Sequence, residues 1–109
     1  MLGREMNRIA FKMQLYNGCS AEYKKRHDEI WPELSRLLKK AGVRDYSIYL
    51  DEETHILFAS LRVGNPKDLD KLPALEIMNK WWAYMADVMV TNDDHSPVTK
   101  PLTEMFYMP

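Results

Sequence analysis

The spacing of apolar and polar positions changes several times along the chain, and each change marks an element. Residues 9–16 alternate, with Ile9, Phe11, Met13 and Leu15 on one face and Ala10, Lys12, Gln14 and Tyr16 on the other. That is the pattern of a strand with one drier face. Asn17-Gly18 then turns the chain. From residue 21 to residue 41 the spacing becomes helical. Tyr23, His27, Ile30/Trp31, Leu34, Leu37/Leu38 and Ala41 recur every three or four residues and form an inward stripe. Lys24, Lys25 and Arg26 are expected on the wet side. Ser20 is expected to cap the start and Gly42 to close the end in the left-handed conformation. Pro32 has no N–H to give to Asp28, and its ring crowds that carbonyl. The spacing therefore predicts a kink, or two short helices meeting at Trp31.

Alternation resumes over residues 44–50, where Tyr46, Ile48 and Leu50 oppose Ser47 and Tyr49. Residues 51–54, Asp-Glu-Glu-Thr, are a polar connection of hairpin length. Residues 55–63 carry apolar side chains on both faces, as a central strand does. Gly64-Asn65-Pro66 ends that strand and opens a helix, with Asn65 as N-cap and Pro66 at its first position. Pro73 breaks this run. A further helix is expected from residue 74 to about residue 89, with Leu75, Met78, Trp82, Met85 and Met89 inward and Trp81, Tyr84 and Val88 beside them. Residues 91–101 form a polar loop, and residues 102–108 are expected as a last strand.

The order is β-α-β-β-α-β, which predicts an α+β, ferredoxin-like domain over residues 9–109 behind a short extension, residues 1–8. In that arrangement the helices cover one face of a four-stranded antiparallel sheet. The other face keeps apolar residues from the first and third strands. A bare apolar face marks an interface, so the expectation is a homodimer whose paired sheets make a dimeric α/β barrel.

Composition narrows the function. The net charge of -1, with 28% charged residues, gives no electrostatic case for nucleic acid or an acidic membrane surface. Cys19 is the only cysteine, which excludes an intramolecular disulfide framework and fits a reducing compartment. No apolar run approaches the roughly 20 residues that span a bilayer, and no secretory signal opens the chain. A cytoplasmic protein is expected.

His27 is the main candidate for chemistry. It faces inward between Tyr23 and Trp31, beside a helix break, and an unperturbed imidazole titrates near neutrality. Such a group is either a hydrogen-bonded core histidine or a proton carrier. His55 and His95 are expected to be exposed. The three histidines lack the spacing of a metal set, with no partner His or Cys a few residues away. No phosphate loop, Ser-His-Asp motif or basic–aromatic stripe is present. Hence no metal or cofactor is expected. Adjacent helical residues differ by about 100°, so of Trp81 and Trp82 one should enter the core and the other line a groove. Indole faces stack on the C–H patches of sugars. Tyr46 offers a hydroxyl from its strand. Asp87 and Glu33 are the carboxylates considered as a base.

These segments together resemble the L-rhamnose mutarotase family. The resemblance rests on EYKKRHDEIWPEL, YSIYLD, KWWAYMADVM, DHSPV and the terminal EMFYMP, and it covers residues 9–109. It implies a dimeric ferredoxin-like isomerase that interconverts the anomers of L-rhamnose by acid–base opening and closing of the pyranose ring, without a cofactor. It further implies His27 as the catalytic acid, with Tyr23, Tyr46, Trp81 and Trp82 contacting the sugar. Asp28 departs from the family pattern, where a neutral residue stands, and Asp94-His95-Ser96 departs from an Asn-Ser pattern. A carboxylate beside His27 raises its pKa if it approaches the ring. Two other classes fit the same fold. A cofactor-free oxygenase would need a deep apolar cavity with little polarity around His27. A non-catalytic sugar-binding or dimerisation module would use the tryptophans but not the histidine.

Overall fold

A computed structural model describes residues 7–109. The expected extension, residues 1–8, lies outside the described residues except for Asn7 and Arg8, which already belong to the first strand. The elements run β1 (Asn7–Gln14), α1 (Ser20–Asp28), α2 (Pro32–Lys40), β2 (Val43–Asp51), β3 (Ile56–Val63), a 3-10 helix (Pro66–Ala74), α3 (Glu76–Met85) and β4 (Lys100–Pro101). The sheet order is β2-β3-β1-β4, with every neighbour antiparallel. This is the ferredoxin-like topology expected from the alternating periods.

The helical stretch before Gly42 is two helices, not one bent helix. Trp31 stands at the cap of α2 in an extended conformation, and Pro32 takes the first helical position, where its missing N–H costs nothing. Placed inside a continuous helix the same proline costs about 3 kcal/mol or more. Gly42 has φ 95 and closes α2 as expected. Ser20 is not the cap. It is the first helical residue, and Cys19 holds the cap position without a side-chain hydrogen bond. The Asn17-Gly18 turn delivers the chain to the helix one residue early, so the Cys19 carbonyl accepts the Tyr23 N–H at 2.9 Å.

Three other expectations are corrected. Asn65 accepts the Lys67 N–H, but the segment it caps is a 3-10 helix that runs through Pro73 to Ala74. The last helix stops at Met85 rather than residue 89. Beyond it the chain returns to β1, where Tyr16 N–H meets the Val88 carbonyl and Val90 N–H meets the Gln14 carbonyl. The last strand is Lys100–Pro101, with Leu102 N–H donating to the Ala10 carbonyl, and residues 103–109 continue without regular structure. The edge beside β1 is therefore filled by two short pieces, residues 88–90 and 100–102. Residues 91–99 loop out between them.

The core lies between the helices and one sheet face. Leu57, Ala59, Leu61 and Val63 of β3 are all buried, the first two in one cluster with Met13, Leu34, Met78 and Met85, the last two in a second with Val43. Burying a side chain such as Leu34 stabilises by on the order of 2 kcal/mol relative to leaving it exposed. On α3 the buried stripe is Met78, Trp81 and Met85, so it centres on Trp81 and not on Trp82. Among the described residues no helix covers the opposite sheet face, where Phe58 and Tyr49 form an exposed cross-strand pair.

Candidate active site

A cavity of about 1050 Å³ opens between the helices and the sheet. That is at the upper end of the size of small-molecule sites. Its wall includes Tyr23 and His27 from α1, Tyr46 and Ile48 from β2, and Trp81, Trp82 and Met85 from α3. The five residues expected from the sequence to serve acid–base chemistry and sugar contact thus come together from three elements.

His27 is held by its own helix. Its ring stacks on Tyr23 one turn earlier, with centroids 4.4 Å apart, and Nδ1 lies 3.1 Å from the Tyr23 carbonyl oxygen. A carbonyl only accepts, so Nδ1 carries a proton and donates it. Nε2 is left for other work. The edge of Trp81 meets the imidazole at 5.4 Å and 87°. Burial pulls the His27 pKa below its ordinary value, and this outweighs the upward pull of the Tyr23 carbonyl and of Asp28. The Asp28 carboxylate is turned to Lys24 at 2.8 Å. At neutral pH His27 is accordingly a neutral imidazole with a bare Nε2.

The phenols stay protonated. Burial, and next the Tyr46 phenol, push the Tyr23 hydroxyl well above the usual range. Burial pushes Tyr46 up to about 12. Tyr46 keeps 42% of its surface exposed. Both hydroxyls border the cavity and keep their protons, so each has an O–H to donate.

The tryptophan pair divides as helix geometry requires. Trp81 is only 6% exposed and packs edge-on against Trp31 at 5.1 Å. Trp82 is half-buried and, like Trp81, borders the cavity. Asp87 and Glu33 are not brought to the cavity. Glu33 is exposed in the first turn of α2, where a carboxylate complements the helix dipole. Asp87 faces Arg26, and the guanidinium beside it holds its carboxyl below the usual range.

Arg26 was expected on the wet side and is instead nearly enclosed, its side chain 11% exposed. It binds Glu22 at 2.7 Å, the Tyr84 carbonyl at 2.6 Å and Asp87 at 2.7 Å, and lies over the Tyr84 ring at 4.3 Å. It ties α1 to the end of α3, one residue away from His27. Nothing in the spacing of one helix reveals a partner 61 residues away. His55 likewise differs from expectation, being half-buried with φ 60, whereas His95 is exposed. The loop over residues 91–99 also reaches the site through Ser96, Pro97 and Thr99. It is folded by the Asn92 N–H to Ser96 carbonyl bond and by Asp94 accepting from the Ser96 N–H. Among the described residues, no group of three or more His, Cys, Asp or Glu is placed to hold a metal ion. No helix there is long and apolar enough to cross a membrane.

Comparison with known proteins gives one answer. The family model for L-rhamnose mutarotase matches residues 8–108. The chain is 58% identical over 104 residues to an L-rhamnose mutarotase of Jannaschia sp. (strain CCS1), covering 95% of this chain and 100% of that protein. It is 53% identical over 105 residues to an L-rhamnose mutarotase of Agrobacterium fabrum, covering 96% and 98%. The crystal structure of L-rhamnose mutarotase from Formosa agariphila superposes with a TM-score of 0.88 at 51% identity, over 94% of this chain and 99% of that one. The chain belongs to the L-rhamnose mutarotase family.

Proposed function

We propose that this protein interconverts the α and β anomers of L-rhamnose by acid–base opening and closing of the pyranose ring. The observation that carries the reading is His27. One nitrogen is committed to the Tyr23 carbonyl, and the ring sits in a cavity walled by tyrosine and tryptophan.

Ring opening moves one proton from the anomeric hydroxyl to the ring oxygen while the bond between C1 and that oxygen breaks. Nothing is oxidised or reduced. Neutral His27 begins as the acceptor, taking the hydroxyl proton at Nε2. The imidazolium so formed is the acid, returning that proton to the ring oxygen. Both oxygens are bonded to C1, so one nitrogen serves both transfers, and no carboxylate base is required. After the aldehyde turns over, the same steps run backwards and close the ring on its other face. A positioned histidine contributes roughly 10²–10⁴-fold to such transfers. Tyr23 and Tyr46 donate hydrogen bonds to sugar oxygens, and the Trp82 ring stacks on a C–H face, with Trp81 backing the imidazole. These contacts supply orientation. The hydroxyls on the wall around His27 suit a sugar better than the aromatic substrate of a cofactor-free oxygenase.

The protein works as a homodimer in the cytoplasm. The exposed Phe58–Tyr49 pair and the uncovered terminal residues Met105 and Phe106, 88% and 80% exposed, support the dimer. Cys19, without a disulfide partner, suits the compartment. Saturation-transfer NMR of L-rhamnose with purified protein tests the activity. Exchange between anomer signals well above the protein-free rate is expected, and exchange no faster than in buffer rejects the reading.

A further inference from the structure

β2 does not run evenly along β3. Val43 and Arg44 face Val63 and Arg62, but the next matched pair is Ser47 with Ser60. From Arg44 to Ser47 is a longer step along β2 than from Arg62 to Ser60 along β3. Asp45 and Tyr46 therefore share the place opposite Leu61, which is a β-bulge.

The bulge has a consequence for every residue after it. Side chains alternate along a strand, so a shift of one residue moves all that follow to the other face. Val43 is buried beneath the helices. In an unbroken strand, residues 45, 47 and 49 would share its face, and Tyr46, Ile48 and Leu50 would point to the open side of the sheet. The extra residue reverses this. Ile48 and Leu50 pair with the buried Ala59 and Leu57, and Tyr46 joins the cavity wall, while Tyr49, which also borders the cavity, stands opposite Phe58 and is 68% exposed.

Asp45 is the residue that absorbs the shift. Its φ is 51, in the left-handed region that most L-residues avoid and that Asp, Asn and Gly tolerate. Its carboxylate reaches across the strand pair to the Arg62 guanidinium at 3.0 Å. Both side chains are largely exposed, so the ion pair adds little, and the backbone conformation is the essential feature. Strained conformations next to a site persist where they aim a side chain.

We propose that Asp45 is a positioning residue whose left-handed backbone makes the bulge that turns Tyr46 into the cavity. This rests on the reading above that Tyr46 contacts the sugar. Asp45 itself touches no reacting atom in this account, and any residue at ease at positive φ can replace it.

The experiment compares anomer exchange, as kcat and KM, in Asp45→Gly, Asp45→Val, Arg62→Ala and Tyr46→Phe, with circular dichroism to establish folding. Asp45→Gly is expected within about twofold of the parent, because glycine takes φ > 0 freely. Asp45→Val, β-branched and ill-suited to that region, is expected to lose about tenfold or more in kcat/KM. Combined with Tyr46→Phe it should add little further loss, since both changes remove the same contact. If Asp45→Val fails to fold, Asp45→Ala carries the same expectation in a weaker form. A folded Asp45→Val or Asp45→Ala protein with parental kcat/KM overturns the proposal. So does Asp45→Gly falling as far as Asp45→Val, which would assign the effect to the carboxylate, as would an equal fall in Arg62→Ala. A slow Tyr46→Phe protein beside a fast Asp45→Val protein overturns the bulge alone. A Tyr46→Phe protein at the full rate overturns both the sugar contact and the purpose of the bulge.

Discussion

His27 and Tyr23 meet twice: their rings stack at 4.4 Å, and the His27 Nδ1–H donates to the Tyr23 carbonyl at 3.1 Å. The helix repeat makes both contacts, since residues four apart lie one above the other. The hydrogen bond selects the tautomer, and the stack limits rotation of the ring. The nitrogen proposed for proton transfer, Nε2, is thereby oriented by the helix itself.

His27→Ala is expected to slow anomer exchange by roughly 10² or more while sugar binding and folding are largely kept. A histidine serving only the core would instead show its loss in the melting temperature. Exchange rate and thermal unfolding on the same variant separate these outcomes. A folded variant with normal exchange removes His27 from the mechanism.

The pH dependence has a definite sign. Burial lowers the His27 pKa in the folded state, so the unfolded chain takes up the proton more readily. Stability from this group is therefore complete above the unfolded value near 6.5 and is lost as pH falls below it. The exchange rate should fall as pH drops further, through the lowered pKa of the folded protein's own imidazole, because protonation there fills Nε2. A rate that rises as pH drops through this window would make the imidazolium, not the neutral ring, the starting form.

Asp87→Asn and Glu33→Gln test the carboxylates directly. Both side chains lie outside the cavity wall, Asp87 against Arg26 and Glu33 on the surface of α2. Glu33→Gln should exchange at the parental rate. Asp87→Asn should lose only a few-fold, through a looser Arg26, far less than the roughly 10² expected of His27→Ala. If Asp87→Asn falls as far as His27→Ala, the base is Asp87.

Trp81→Ala and Trp82→Ala should separate stability from binding. Trp81 lies in the core, and its truncation should cost about 3–5 kcal/mol of folding stability. Trp82 is half-buried at the cavity, so its loss should chiefly weaken sugar affinity. Denaturant unfolding and sugar titration on both variants measure the split, and unchanged affinity in both rejects the stacking role.

Sedimentation should show a dimer at micromolar concentration, and Phe58→Asp with Tyr49→Asp should convert it to a monomer by placing charges on the uncovered sheet face. A parent protein that sediments as a single chain excludes the dimer.

The sequence alone determined the elements and their order, because local periods record which face of each element is buried. It placed the break at Pro32 and the turn at Gly42, since a missing N–H and a left-handed φ are properties of single residues. It also gave His27 its neighbour Tyr23, one helical turn earlier, but not the second one: Trp31 stands beyond the helix break, and the ring edge that meets the imidazole is that of Trp81. Only the tertiary structure decided the rest. Which tryptophan entered the core depended on how α3 rolls against α2 and the 3-10 helix. Arg26 became a clamp because the end of α3 and the turn after it offer a carbonyl and a carboxylate across 58 and 61 residues of sequence. The last strand is short because its pairing with β1 ends once the Leu102 N–H meets the Ala10 carbonyl, while residues 88–90 take the other end of that edge, at Gln14 and Tyr16. The alternation of Tyr46, Ile48 and Leu50 was legible, but the bulge that reconciles it with the buried Val43 is visible only against β3. A change of register is a relation between two strands, and neither strand carries it alone.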